Sequence, residues 1–341
     1  TAYGRRRKGL VALIDLDAYE WKPDSKAMIR ATEATIVDRI PPRMEIRRGA
    51  PLESPHIMLL VNDPERRLVE GTGKLVTKGK PAYQTPLKPD SGAIAGWLAA
   101  SAEALDHISE SLETIAAKNT DADGNVFLFA VGDGNHSLAT AKAVWDEYRA
   151  ARLAEAGADR CAAEKELASH PARHALVEIV NLYDEGLTFE PIHRVLFGTS
   201  AKELSSFLKE RLGGRVDTVD SAHELERLVG EKGMTRFGFA STEGMTVLDS
   251  PDPALAVARL QPALDDFLAS RPEASIDYIH GTEEVFRLAK KAGAVSMLLP
   301  PVEKDSFFTT IAGGGPLPRK SFSMGEASEK RFYLECRGLF S

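Results

Sequence analysis

The segment VFLFAVGDGNHSLATAK, Val126–Lys142, constrains this chain more than any other. Val126–Val131 is an unbroken apolar run, as expected of a strand covered on both faces. Gly132-Asp133-Gly134 ends it with a sharp turn, and Leu138, Ala141, Trp145 and Tyr148 then recur at helical spacing. A buried strand that passes so quickly into a helix belongs to a fold in which helices are layered on a sheet. The first turn of such a helix carries unpaired N–H groups and the positive end of the dipole. Gly134 lets a ligand approach the backbone, and together these features make an anion site of the kind used for phosphate. His136 can donate to an oxyanion or shuttle a proton, and Asp133 can hold Mg2+ or cap the helix. Plainer roles have equal weight on spacing alone: Asp133 or Asn135 as a helix cap, His136 as a surface residue.

The rest of the chain continues the alternation. GLVALIDL (Gly9–Leu16) and PHIMLLV (Pro55–Val61) read as strands. From Ser91 to Lys118, Ile94, Trp97, Leu98, Ala102, Leu105, Ile108, Leu112 and Ile115 predict one long amphipathic helix. Ala150–Ala172 reads as exposed helix, and Ala175–Leu182 with Leu187–Phe197 as a hairpin about Asp184-Glu185-Gly186. Helices at 200–212, 222–231, 254–270 and 283–292 then alternate with strands at 215–219, 276–280 and 295–299 and a hairpin at 236–248. The loop GGGPLPRKS precedes a last strand at 331–337. The expected fold is α/β with a mixed sheet and some α+β character, divided near Pro171 into domains 1–172 and 173–341.

Composition narrows the function classes. The chain has 341 residues, 43% hydrophobic and 27% charged, enough to bury a sizeable core. A net charge of −7 argues against bulk attraction to nucleic acid or an anionic membrane. No apolar run reaches the roughly eighteen residues of a membrane span, and Asp15 and Asp17 interrupt the only run that resembles a signal peptide. Cys161 and Cys336 are too few for a disulfide framework and read as small buried or half-buried residues of a reducing compartment, so a cytoplasmic location is expected. A dinucleotide-binding reading of Gly132-x-Gly134 fails because Ser137 stands at the third glycine position. The late GGGPLPRKS is no P-loop, since Arg319 occupies the glycine position before Lys320.

The turn GDGNHS resembles the DGHHR motif of the domain-of-unknown-function family 1015, which is itself similar to the ParB-like free serine kinases. IRATEATIVDRIPPR (Ile29–Arg43), PHIMLLVND (Pro55–Asp63), VNLYDEGLTFEPIHRVL (Val180–Leu196), IDYIH (Ile276–His280) and LPPVEKDSFFTTIAGGGPLPRKS (Leu299–Ser321) also look like family signatures, in the family's order. The resemblance implies a ParB-like, serine-kinase-like catalytic region followed by a second α/β domain, with the family's N-terminal segment expected upstream of Thr1. It further implies a nucleotide-dependent phosphotransferase that uses ATP or ADP with Mg2+ and a small hydroxyl metabolite, serine among the candidates.

Residue by residue, the resemblance matches the family's catalytic base to Glu33 and its phosphate-holding turn to Asp133, Gly134, Asn135 and His136. Ser137 stands at the motif's arginine, Arg43 matches the arginine closing the early motif, and Lys320 and Ser321 match the late P-K-S/T element. Asp133 is the metal candidate, Asp63 a weaker one. The chain departs from the pattern at Thr32 and Asn135, where the family has histidine, and at Ser137. Losing that arginine removes a bidentate phosphate ligand, for which Lys142, Arg43 or Lys320 would have to compensate. On pattern alone Glu33 is a solvated residue pairing with Arg30, and His193 and His280 are structural. The resemblance leads to the expectation that Glu33, His136 and Lys320 face one cleft. The expected partners are a nucleotide and a small-molecule substrate, with a homodimer left open and no membrane. A nucleotide-binding regulator without kinase activity is the alternative, while DNA binding is disfavoured by charge and by the lack of a helix-turn-helix.

Overall fold

The computed structural model describes residues 4–87, 91–251, 256–318, 320–325 and 331–340. They form two compact units, one running to Leu187 and including the residues after Gly325, the other Thr188–Gly325.

In the first unit, strands β1 (Leu10–Asp15), β2 (Tyr19–Glu20) and β3 (Ile29–Ala31) precede helix α1 (Pro41–Arg48), β4 (Leu52–Glu53) and β5 (Ile57–Val61). Helix α2 (Thr72–Val76), strands β6 (Tyr83–Pro86) and β7 (Ala93–Gly96) and helix α3 (Ala102–Lys118) follow. Then come β8 (Phe129–Asp133), α4 (Asn135–Glu155), α5 (Arg160–Ser169) and β9 (His174–Asn181). The main sheet is mixed, in the order β1-β9-β5-β8-β3-β2. Its central strands are the continuous apolar runs of the sequence: Ile57, Leu59, Val61, Val131 and Val177 are buried in one core with Leu138, Ala141 and Trp145 of α4. Each such side chain contributes about 1.5–3 kcal/mol when fully buried. Trp145 also donates its indole N–H to Asp17 Oδ1 at 2.9 Å, which satisfies its one polar atom.

The helix expected from Ser91 begins only at Ala102. Ser101 caps it, its hydroxyl accepting the Ala104 N–H at 3.2 Å. The residues before it pair instead as β7 against β6, with Ala95 opposite Gln84. A side chain at Gly96 would lie 2.2 Å from the Tyr83 ring, so the sequence there suits a close hairpin rather than a helix surface.

The expected hairpin of β9 with the following strand is not formed. β9 pairs with β1 and β5, whereas β10 (Phe189–Phe197) enters a different sheet. The division between units therefore falls in the turn after Asp184, later than the expected boundary near Pro171. The second unit continues with α6 (Ala201–Leu212), β11 (Arg215–Val219), α7 (Ala222–Val229), β12 (Thr235–Ser241) and β13 (Gly244–Ser250). It ends with α8 (Ala256–Ala269), β14 (Ser275–His280), α9 (Thr282–Ala289), β15 (Ala294–Leu298), α10 (Lys304–Gly314) and β16 (Phe322–Met324). Its sheet has the order β11-β13-β12-β15-β10-β14, with β16 added to β10. Leu204, Leu208, Leu260 and Leu264 of α6 and α8 pack in one core. Leu225, Val229, Val285 and Ala289 of α7 and α9 pack in another. The α/β class with a mixed sheet is thus the observed one.

Further expectations change in detail. The last strand, expected at 331–337, reduces to Arg337–Gly338 paired with β4. Cys161 and Cys336 are exposed rather than buried; α5 turns Ala163 and Leu167 inward and leaves Cys161 on its outer side. No described helix is long and apolar enough to cross a membrane.

Two buried polar groups control stability. Glu53, whose side chain is only 2% exposed, is bonded by Arg47 Nη2 at 2.7 Å and by Arg337 at 2.8 Å. Its second oxygen also accepts the Leu176 N–H at 3.0 Å. Glu53→Gln leaves two guanidinium groups without their counter-charge and is expected to cost about 3–5 kcal/mol in urea denaturation; a loss under 1 kcal/mol would contradict this role.

In the second unit, His193 is buried and its Nδ1 accepts the Leu299 N–H at 3.1 Å. Burial, then the Arg194 and His280 charges, push its pKa from 6.5 down to about 4. The unfolded chain therefore binds a proton at a pH where the fold does not. Stability from this group is full above pH 6.5 and is lost as pH falls toward 4, by at most about 3 kcal/mol. His193→Gln should flatten the stability profile between those limits, and parallel profiles for the two proteins would refute the assignment.

Candidate functional site

Strands β3 and β8 run parallel, Ile29 opposite Phe129 and Ala31 opposite Val131. Parallel neighbours end at the same sheet edge, so the chain leaving β3 meets the chain leaving β8 although the two are far apart in sequence. On β8 the register against β5 shifts: Leu59 faces Val131, but Met58 faces Asp133. Gly132 is the extra residue of this bulge, which bends the strand just before Asp133.

Gly134 then takes the left-handed conformation at φ 88 and ψ 25. A Cβ there would lie 3.1 Å from Ile57 Cγ1 and 3.2 Å from Ile57 Cα, so glycine is needed both for the angle and for the room. The Gly134 N–H donates to Asp133 Oδ1 at 2.8 Å. Helix α4 closes its first bond from the Leu138 N–H to the Gly134 carbonyl at 2.9 Å. The N–H groups of Asn135, His136 and Ser137 consequently have no acceptor within the helix, and Gly134 has no side chain to cap them. Residues 132–137 are half-buried, so the turn lies at the surface of the core rather than beneath it.

The segment after β3 is fastened to this turn at two points. Thr32, fully buried, donates its N–H to Asn135 Oδ1 at 3.1 Å and its hydroxyl to the Val131 carbonyl at 2.5 Å. The Asn135 amide donates back to Thr32 Oγ1 at 3.3 Å. Further along, the Ile36 N–H donates to His136 Nε2 at 3.2 Å. A backbone N–H can only donate, so Nε2 carries no proton here and His136 is the neutral imidazole protonated on Nδ1.

Half-buried Glu33 lies between the two fastenings. The expected base and the expected phosphate-binding histidine are therefore carried by backbone segments bonded to each other. Sequence reasoning missed the means: Thr32 and Asn135 are hydrogen-bond partners. Asn135, expected to hold ligand, has its amide engaged with Thr32. Arg30, the plainer partner for Glu33, is buried with its guanidinium 4.5 Å from the Phe127 ring centre.

The cations expected to replace the missing arginine have these local surroundings. Lys142 pairs with Asp146 at 2.8 Å and Asp17 at 3.7 Å. Arg43 is exposed on α1, its Nη1 donating to the Arg39 carbonyl at 2.8 Å. α1 itself is tied to α4 by Arg48, which donates to both Glu147 oxygens at 2.8 and 2.7 Å. Ser137 is half-buried in the first turn of α4. Lys320 and Ser321 belong to the second unit: Lys320 is exposed at φ 63, and the buried Ser321 hydroxyl donates to the Pro318 carbonyl at 2.5 Å. Arg319 lies outside the described residues.

Among the described residues no three His, Cys, Asp or Glu side chains group as a metal cage. Asp63 Oδ2 instead accepts the Leu68 N–H at 2.8 Å, a turn-stabilising role. Asp133, the expected metal residue, is half-buried and its Oδ1 accepts the Gly134 N–H.

A family model described as a protein of unknown function, domain 1015, matches residues 1–267. The chain belongs to that family. No curated protein matches it. Among solved structures, a free serine kinase in complex with AMP is similar at 11% identity and TM-score 0.44, over 94% of this chain and 89% of the other. A conserved hypothetical protein from Pyrococcus furiosus is similar at 12% identity and TM-score 0.42, over 95% and 92%. C-terminally truncated SbnI from Staphylococcus aureus is similar at 8% identity and TM-score 0.45, over 93% and 83%. At such values no residue role is transferred from them.

The turn itself is testable. Gly134→Ala forces a side chain into left-handed backbone against Ile57 and is expected to destabilise the protein by about 1–3 kcal/mol. An unchanged thermal midpoint would show that the turn is not held in this geometry.

Proposed function

We propose that the chain is a nucleotide-dependent phosphotransferase acting on a small hydroxyl-bearing metabolite, with its site where β3 and β8 end. One observation carries this reading: the double fastening of residues 32–36 to the turn 133–136. It keeps a carboxylate-bearing segment beside the start of helix α4, so a proton acceptor and the electropositive end of a helix adjoin.

In this mechanism, the N–H groups of Asn135, His136 and Ser137 receive phosphate oxygens, and the His136 Nδ1–H is a neutral donor to them. Glu33 accepts the proton of the substrate hydroxyl as its oxygen bonds to phosphorus, while the bond from phosphorus to the nucleotide's leaving oxygen breaks. Mg2+, held through Asp133, would neutralise charge on the phosphates.

A nucleotide-binding regulator is the second reading. It is favoured by the engagement of the Asn135 amide and of His136 Nε2 in holding backbone rather than in chemistry. Turnover separates the two. Hydroxyl-bearing metabolites, serine included, would be incubated with ATP or ADP and Mg2+; ADP and AMP are natural binding probes because free serine kinases have been solved with them. Glu33→Gln is expected to lower kcat by about 100-fold to 10,000-fold with nucleotide affinity little changed, and His136→Ala to weaken nucleotide binding. Activity that survives both substitutions would dismiss this site, and binding without consumption of nucleotide would favour the regulator.

A further inference from the structure

At one end of the second unit's sheet, a buried histidine and the start of a helix present donors to the same place. His193 on β10 is 3% exposed, and its Nδ1 accepts the Leu299 N–H at 3.1 Å. The proton of the neutral ring therefore sits on Nε2, at the outer tip of the side chain. This N–H has no acceptor among the described residues, and Nε2 is not one of the atoms that the fold seals without a partner. The sheet register shows which way it points. Alternate residues of a strand share a face, so His193 stands on the side of Val195. Val195 is opposite Ser296, whose hydroxyl donates to the Val285 carbonyl of α9 at 2.8 Å, so α9 lies over this face. β14 ends with His280 opposite Ile192, and Gly281 alone separates it from α9, which runs back until Leu288 packs with Val195 and Ala294. One turn of helix before Val285 thus reaches the level of His193, one step beyond Val195 on the strand.

We propose that the start of α9, the His193 Nε2–H and the Thr282 hydroxyl form a binding site for the phosphate group of a small metabolite, separate from the turn at 133–136. Gly281, at φ 79, has no side chain to cap the helix, so the N–H groups of Thr282, Glu283 and Glu284 have no acceptor within it. Thr282 is half-buried one turn before the buried Val285, and its hydroxyl has no partner among the described residues. The two acids of this turn are directed elsewhere: Glu283 is exposed, and Glu284 accepts the Arg287 Nε–H at 2.6 Å farther along the helix. His193 distinguishes this place from an ordinary helix start. A buried N–H left unbonded costs about 1–3 kcal/mol, and an oxyanion held against the helix would accept it. Phosphate suits the set, because it takes several donors at once and favours the positive end of the dipole. His280, exposed just before Gly281, lies close enough for its charge to act on His193 and adds to the attraction when protonated. The inference is independent of the phosphotransferase reading.

The test is a titration of the full chain with inorganic phosphate at neutral pH and constant ionic strength, followed by nuclear magnetic resonance. The His193 ring signals and the Thr282 and Glu283 amides are expected to shift together, with one dissociation constant. Saturating phosphate is expected to move the His193 titration upward from about 4 by roughly one pH unit or more, because a neighbouring oxyanion favours the imidazolium. Thr282→Val, which keeps the shape and loses the hydroxyl, is expected to weaken this binding about fivefold or more, and Thr282→Ser to stay within about threefold of wild type. His136→Ala is expected to leave the signals at His193 and Thr282 as they are, which separates this site from the one at α4. The proposal is overturned by signals that stay still up to about 50 mM phosphate, by an unmoved His193 titration, or by equal affinity in wild type and Thr282→Val. None of these results bears on the phosphotransferase reading.

Discussion

The parallel pairing of β3 with β8 is the constraint on which the site depends. Antiparallel strands would send their following segments to opposite edges; parallel ones send both to the same edge. With β3 held alongside β8 by Ile29 opposite Phe129, Thr32 has little choice but to meet the turn after Val131. The hydrogen bonds there are each worth about 1 kcal/mol net, far less than the apolar burial of the strands. Their role is direction. They decide which way the segment carrying Glu33 crosses the start of α4, after hydrophobic packing has already decided that it crosses.

The departures from the family pattern gain a physical sense from this contact. A histidine at position 32 and another at 135 would present two titratable rings to each other. Thr32 and Asn135 instead make a closed set of neutral donors and acceptors with the Val131 carbonyl. His136 likewise takes a backbone partner, its Nε2 accepting the Ile36 N–H. With Ser137 in place of arginine, the turn offers backbone dipoles and hydroxyls in place of fixed charge. Dipoles of that kind still favour an anion, although they fall off faster with distance than a guanidinium does.

Buried charge is handled differently in the two units. In the first, Glu53 is neutralised by Arg47 and Arg337, and Glu178 is paired with Arg7 at 3.1 Å. Burial still raises the Glu178 pKa, because desolvation outweighs the Arg7 and Arg331 charges. In the second unit Arg194 is fully enclosed and rests on the Gln261 side chain at 3.1 Å and against the Tyr278 ring at 4.9 Å. Burial lowers its pKa to about 10, against the opposing effect of Tyr278 and Asp265, so it keeps its charge at neutral pH. A cation held by neutral oxygen and an aromatic face is structurally demanding, since any loosening of β10 or α8 would leave it unsatisfied.

What the sequence alone determined were the local signals. The apolar run before Gly132, the glycine at 134 and the spacing behind it gave strand, turn and helix, because those choices depend on neighbours a few residues away. Motif resemblance likewise placed Glu33 and His136 as candidates. Only the tertiary structure decided the pairings. β9 and β10 look like a hairpin from their turn, yet they join different sheets, since strand partners are chosen by packing over the whole unit. Ile94 and Trp97 fall at helical spacing by coincidence, and the close approach of Gly96 to Tyr83 makes that stretch a strand. The bonds from Thr32 to Asn135 and from Ile36 to His136 span about a hundred residues. Such a contact leaves no local periodicity to read, because it arises where two strand ends share an edge.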